Sequence, residues 1–435
     1  MPPLTATRTP VPWTAPTADA PISTTVRLPG SKSMTARALI LSAIAAGPST
    51  LRGPLRARDT ELMSAGLRAM GAQVSTHLGD RWVIRPHTLR GPAHVDVGLA
   101  GTVMRFLPPV AALADGEVTF DGDPQARARP LGPLVGGLRS IGVEIDSANG
   151  GGLPLTVHGS AAVRGGEVAI DASASSQLVS GLLLAAPRYT RGIVVRHAGP
   201  PVPSAPHLRM TVEMLRAAGA AVDDGTPDIW VVEPGRLSGR AWDIEPDLSG
   251  AAPFFAAALV TGGTVTLEGW PRRSAQPVDR LRTLLRQMGG EVRQDTEGLT
   301  VRGTGAVHGL DADLSDVSEL TPVVAALAAL ADSPSRVRGI AHVRGHETDR
   351  LAALARELTA LGAGVSEHAD GLEIRPRPMR GTVFETYDDH RMAHAAAVIG
   401  LSVPGVELTD VACTSKTLPE FPALWSAMVT ARREV

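Results

Sequence analysis

The sequence predicts an α/β protein built from six repeated units, with apolar helices inside and sheets outside. Three observations carry this expectation. At 435 residues the chain is too long for one ordinary core, so two to three domains are expected. An amphipathic helix pattern closing on glycine returns roughly every 70 residues. A second helix series, alanine-rich and apolar nearly all round, alternates with the first and has to be buried.

The amphipathic series occupies 61–71, 131–142, 208–219, 278–289 and 351–362, and a sixth copy begins at Phe421. Each ends on the glycine that commonly stops a helix. Behind each lies a short strand (73–74, 143–145, 221–222, 291–292, 364–365) and then an alternating one (81–85, 153–157, 228–232, 298–302, 371–375). The apolar series occupies 38–46, 101–114, 176–186, 251–260, 319–331 and 391–401, followed by strands at 49–52, 118–121, 193–196, 264–268, 335–338 and 405–409. The unit is therefore helix-strand-helix-strand-strand, and three units per domain would bury the apolar helices against one another.

Composition excludes several functions. A net charge of −2 gives no basic field for nucleic acid or membrane, and 3% aromatics leaves little for base stacking. No apolar run reaches membrane-spanning length. Cys413 is the only cysteine, so an intrachain disulfide is impossible and a reducing, cytoplasmic setting is expected. Residues 1–21, rich in Pro, Thr and Ala, read as a loose tail without the apolar core of a secretory signal. His77, His87, His94 and His158 read as surface histidines. No metal-ligand spacing, P-loop or dinucleotide fingerprint is present, so neither metal nor cofactor is expected.

The chemistry gathers at the starts of the apolar helices: Gly30-Ser31-Lys32-Ser33, Leu99-Ala100-Gly101-Thr102, Ser173-Ala174-Ser175-Ser176-Gln177, Asp247-Leu248-Ser249-Gly250, Asp316-Val317-Ser318-Glu319 and Asp388-Asp389-His390-Arg391. Small polar residues cap helices and leave N–H groups open to anions. If pseudo-symmetry turns these starts toward one cleft, their dipoles form an anion trap. Lys32 and Lys416 are the only lysines among 42 cationic residues. A lysine kept against that bias suggests a compact point charge where a planar guanidinium is too broad. Arg127, Arg129 and Arg350 in the turns, with Arg105 and Arg391 on apolar helices, would add charge. Each of these arginines alone is at least as well explained by a salt bridge. Glu347, Glu319, Asp316, Asp389 and His390 are the candidate acids and bases.

Together these residues resemble a known family. Leu-Pro-Gly-Ser-Lys-Ser at 28–33 with Arg37, Ala-Gly-Thr-Val-Met-Arg at 100–105, Ser-Ser-Gln at 175–177, Glu-Thr-Asp-Arg at 347–350, Asp-His-Arg-Met-Ala at 389–393 and Thr-Ser-Lys-Thr at 414–417 are similar to the 5-enolpyruvylshikimate-3-phosphate synthases. The resemblance runs from Leu28 to the C-terminus. It implies an inside-out α/β barrel of two domains, 1–29 with 246–435 and 30–245, the chain crossing twice and the site lying in the cleft. It implies transfer of enolpyruvyl from phosphoenolpyruvate to the 5-hydroxyl of shikimate 3-phosphate by a monomer, through a tetrahedral intermediate that expels phosphate. Lys32, Ser33, Arg37, Thr102, Ser175, Ser176, Gln177, Ser204, Glu319, His342 and His346 would hold shikimate 3-phosphate. Lys32, Gly101, Arg129, Gln177, Arg350, Arg391 and Lys416 would hold phosphoenolpyruvate. Lys32, Glu347, Glu319, Asp316 and His390 would be the catalytic set. Glu347 would protonate the methylene carbon and Glu319 take the hydroxyl proton, leaving Asp316 as a helix cap.

Several positions depart from the family pattern: Leu99 for asparagine, Phe106 for proline, His342 for asparagine, His346 for lysine, and His207 for a tyrosine that stacks on the substrate ring. His346 is expected to make its share of binding pH-dependent. Two alternatives stand beside this reading. The related transferase acting on UDP-N-acetylglucosamine carries a reactive cysteine in the loop matching 123–130, which this chain lacks. A non-catalytic phosphate-ligand binder would not need Lys32, Glu347, Arg350, Arg391 and Lys416 together.

Overall fold

The computed structural model describes residues 12–148 and 150–430. Both helix series form where their periodicity puts them. The amphipathic copies are Arg58–Ala69, Gly132–Ser140, Ala205–Ala217, Val278–Gln287 and Arg350–Leu361, with Phe421–Thr430 as the sixth. The apolar copies are Lys32–Ala43, Gly101–Ala111, Ser176–Ala185, Leu248–Thr261, Thr321–Ala329 and His390–Gly400. Nearly every residue of this second series is buried, as helices without a polar face require.

The sheets hold one strand more per unit than the sequence pattern shows. Ser23–Val26, Ala93–Asp96, Gly166–Ile170, Ala241–Asp243, Asp311–Asp313 and Val383–Phe384 precede the apolar helices. Ala93–Asp96 pairs in parallel with Asp115–Asp121, which runs antiparallel to Gly152–Ser160, itself antiparallel to Glu144–Ala148. Val118 faces Val157 and Phe120 faces Leu155, all four buried, so each sheet lays its apolar face on the helices.

Two of the added strands exchange places. Ser23–Val26 joins the sheet of Thr264–Glu268, and Ala241–Asp243 joins that of Ser49–Arg52. The chain therefore crosses at 28–32 and again at 244–248, where the two passages touch: Ser31 N donates to Glu245 O and Asp247 N to Pro29 O. A Cβ on Gly30 would come within 2.1 Å of Gly53 O, so no side chain fits at this crossing. One buried apolar cluster runs from Met34 to Ile244; the other joins Ala15, Ile22, Val26 and Leu28 to residues from Leu248 to Met428. On this pair of cores we propose domain limits of 1–29 with 246–435, and 30–245.

The N-terminal segment corrects one expectation. Trp13–Thr14 pairs antiparallel with Glu407–Leu408, Ala15 N donates to Val406 O, Ala18 N donates to Leu401 O, and Ala15 is buried. Among the described residues this segment takes the place beside Glu407–Leu408 that a hairpin strand fills in the other units. Residues 1–11 lie outside the described residues. Phe421 and Trp425 of the last helix stack with Phe254, the Phe254–Trp425 ring centroids lying 5.6 Å apart. Trp425→Ala should destabilise the fold by about 3–5 kcal/mol, read from denaturant midpoints. Among the described residues no helix is long and apolar enough to cross a membrane.

Candidate active site

The helix starts do converge. A cleft lies between the two cores. It is lined by the first residues of the helices at Lys32, Ser176, Leu248 and His390, and by Glu319 and Leu320 ahead of Thr321–Ala329. The sixth start, Gly101, adjoins it: a Cβ there would lie 3.0 Å from both Arg129 Nη2 and Gln177 Oε1 and 3.1 Å from Arg105 Nη1. A bare backbone at 101 leaves those three groups room to meet a ligand. Ser31, Ser175, Asp247 and Asp389 cap their helices through their side chains. Thr102 and Lys416 are buried close by without lining the cleft, and Thr102 Oγ1 has no partner.

The cations fall into two groups. Lys32, Arg350 and Lys416 have carboxylate partners. Lys32 Nζ donates to Asp59 Oδ2 at 3.1 Å. Arg350 Nε donates to Asp389 Oδ2 at 2.7 Å and its Nη2 to Glu347 Oε2 at 2.9 Å. Lys416 Nζ reaches Glu347 Oε1 at 2.5 Å. The second group has none. Among the described residues no ion pair involves Arg37, Arg105, Arg129 or Arg391, although each is at least nine-tenths buried. Arg105 Nη1 rests on Gln177 Oε1, Arg129 Nη1 on Leu99 O and Arg391 Nη1 on Glu319 O. Arg105 Nε and Arg129 Nε have no partner. Buried guanidinium groups without counter-charge are costly, and burial pushes Arg37 and Arg105 down to about 9. An anion entering the cleft would relieve that cost.

The acids and histidines are equally differentiated. Burial alone would raise Glu347, but Lys416, Arg350 and Arg129 hold it well below the usual carboxylate range. Burial would also raise Glu319, yet His207, whose Nε2 lies 3.3 Å from Glu319 Oε1, and Arg391 hold it well below that range. His390 lines the cleft with both ring nitrogens unpartnered; burial, then Arg391 and Lys32, keep it uncharged at neutral pH. His342 is pushed down chiefly by burial, and its Nε2 has no partner.

The sequence profile described as EPSP synthase (3-phosphoshikimate 1-carboxyvinyltransferase) matches residues 16–425. The chain belongs to the EPSP synthase family. It is accordingly a transferase of the shikimate pathway, moving the enolpyruvyl group of phosphoenolpyruvate onto the 5-hydroxyl of shikimate 3-phosphate. Two structures of EPSP synthase from Acinetobacter baumannii share its fold at 23% identity, with TM-scores of 0.80 and 0.78. Each alignment covers 96% of this chain and 98% of the other.

Set against that family pattern, Lys32, Ser33, Arg37, Arg129, Ser175, Ser176, Gln177, Ser204, Glu319, His342, His346, Glu347, Arg350, His390 and Arg391 all line the cleft. Asp316 does not. It lies beside Arg280 at 3.6 Å, half exposed, and caps no helix, because the 3-10 turn Ser318–Leu320 starts one residue later from Val317. Arg127 also turns away, donating to Asp121 at 2.7 Å from an exposed position. His346 is no pH-dependent cation: burial, then Arg350 and Arg129, keep it uncharged, and its Nδ1 accepts from Arg350 Nη1. His158 is half-buried between Asp146 and Glu117 rather than free on the surface. Burial pushes the Cys413 thiol up, so it is no nucleophile at neutral pH.

Sequence reasoning missed Asp59 and the His207–Glu319 contact. Asp59 is 2% exposed in the first turn of Arg58–Ala69. An acid there usually reads as a complement to the helix dipole, and nothing in the pattern links it to Lys32.

Proposed function

We propose that the cleft seats shikimate 3-phosphate mainly on the 30–245 side and phosphoenolpyruvate between both domains, in contact with each other. The observation that carries this assignment is the set of buried arginines without carboxylates. Lys32, Ser33, Ser175, Ser176, Gln177 and Ser204 hold shikimate 3-phosphate, with His342 and His346 at its rim. Gly101, Arg129, Arg350, Arg391 and Lys416 hold phosphoenolpyruvate, and Lys32 and Gln177 reach both. Arg37 acts from beneath. Its Nε donates to Thr211 Oγ1, its Nη1 to Ser33 O, and its Nη2 to Ser180 Oγ and His207 O, so it ties the Lys32 turn to two neighbouring helices.

Glu347 gives a proton to the methylene carbon of phosphoenolpyruvate, leaving cationic character on C2. The 5-hydroxyl oxygen attacks C2 while Glu319 takes its proton, giving a tetrahedral intermediate. Glu347 then takes a methyl proton back as the C2–O bond to phosphate breaks, and the proton held by Glu319 passes to the departing phosphate, leaving the enol ether and inorganic phosphate. Lys32 and the unpaired arginines stabilise the charge that collects on phosphate as it leaves. His390, uncharged and unpartnered, offers a ring N–H to the departing oxygen.

Glu319→Gln should lower kcat about a hundredfold or more, the usual worth of a general base, while Asp316→Asn should stay near wild type. Steady-state phosphate release reads both. The reverse ranking would move the base to Asp316. A monomeric, cytoplasmic enzyme is part of this proposal; Val383 is the one exposed large hydrophobic among the described residues, which offers little for a subunit interface.

A further inference from the structure

Glu319 and His207 belong to different halves of the molecule. His207 lies on the helix Ala205–Ala217, which packs into the first apolar cluster, and Glu319 lies on the 3-10 turn Ser318–Leu320 of the second. Their contact sits inside a short seam between the halves. Ser204 N donates to Ser315 O at 2.8 Å, and the Ser204 and Ser318 hydroxyls lie 3.2 Å apart. Ser204 takes a left-handed backbone, φ 53°, to make that turn, a conformation uncommon outside glycine. The backbone that carries His207 is well anchored. His207 N donates to Ser204 O, and His207 O accepts from Arg37 Nη2 and Thr211 Oγ1.

We propose that His207 is a positioning residue for the base. The Nε2 edge of its imidazole, 3.3 Å from Glu319 Oε1, holds that oxygen by charge and so leaves the second carboxylate oxygen for the substrate hydroxyl only when the two halves are together. An ionised carboxylate can only accept, so Nε2 must carry the hydrogen. Opening the cleft would separate the pair, since each member moves with its own half. Closure therefore completes the base as well as excluding water. This inference rests on the assignment of Glu319 as the base.

The other charged or titratable groups facing the pair do not replace His207. Arg350 bonds Asp389 and Glu347 rather than Glu319. His342 and His346 are held uncharged, chiefly by burial. Arg391 also acts on Glu319, and its guanidinium bonds the backbone carbonyl of that residue. Loss of His207 would remove the strongest charge that opposes burial at Glu319, leaving Arg391, the more distant field of Arg350 and a backbone hydrogen bond. The reaction needs the carboxylate, so the rate would be lost first on the acid side.

The test is the kcat–pH profile of the wild type, His207→Leu and His207→Gln with shikimate 3-phosphate and phosphoenolpyruvate, each protein checked by thermal unfolding. The acid limb of His207→Leu should move up by about one unit or more, and that of His207→Gln, which keeps a donor, should lie closer to wild type. In a Glu319→Gln background, His207→Leu should cost nothing further. A uniform fall in kcat with an unmoved limb, or additive losses in the double variant, would overturn the inference. A wild-type enzyme without turnover would instead overturn the functional assignment itself, so the two failures are told apart.

Discussion

Lys32→Arg is expected to lower kcat by about a hundred- to a thousandfold although the charge is kept. Lys32 opens an apolar helix, and its ammonium donates to the buried Asp59 at 3.1 Å with only 18% of its side chain exposed. Its backbone N–H is held by Asp247 Oδ2 at 3.2 Å, which fixes the helix start between the two crossings of the chain. A compact ammonium can turn from Asp59 toward a substrate anion without moving its neighbours. A guanidinium is planar and wider, and Ser31, Ser33 and His390 line the same stretch of cleft. Steady-state kinetics against both substrates checks this. A turnover near wild type would show that only the charge matters at 32.

Glu347→Gln is expected to cost about a hundred- to ten-thousandfold in kcat, the range for losing a positioned proton donor. Glu347 lies between Lys416 and Arg350, which hold it ionised. A proton donor must first acquire its proton. Phosphoenolpyruvate supplies the means, because an anion settling on Lys416, Arg129 and Arg350 offsets the field that keeps the carboxylate ionised. Its binding should therefore take up a proton at Glu347 and should weaken as pH rises. Calorimetry with shikimate 3-phosphate present, in buffers of different ionisation enthalpy, should show that uptake for the wild type. It should be absent in Glu347→Gln; equal uptake by both proteins would place the donor elsewhere.

Much of the fold was legible because each unit repeats two strong periodicities. Strands 81–85 and 371–375 coincide with the expected ranges, and the apolar helices overlap theirs, the first beginning early at Lys32 rather than at 38. The strands before those helices were not legible. They are only two to five residues long and mostly alternate with exposed positions, too little for a period to register. Trp13–Thr14 escaped for a different reason, since its partner lies at Glu407–Leu408 near the other end of the chain and the flanking prolines suggest a tail.

The site was legible where chemistry and position coincide, at the capped helix starts and the rare lysines. It failed where only three-dimensional pairing distinguishes residues. Asp316 and Glu319 both precede an apolar helix, yet one turns to Arg280 and the other into the cleft. Arg127 and Arg129 are two residues apart on one turn, with Arg127 exposed beside Asp121 and Arg129 buried against Leu99 O. The His207–Glu319 contact joins two domains, and no local pattern encodes it.

The central claim is that this cleft joins phosphoenolpyruvate to shikimate 3-phosphate. Its most direct test follows phosphate release with phosphoenolpyruvate and either shikimate 3-phosphate or UDP-N-acetylglucosamine, with product analysis by mass spectrometry. Turnover is expected with shikimate 3-phosphate, one phosphate released per enol ether formed at the 5-hydroxyl, and none with the nucleotide sugar. Turnover with UDP-N-acetylglucosamine alone would contradict it.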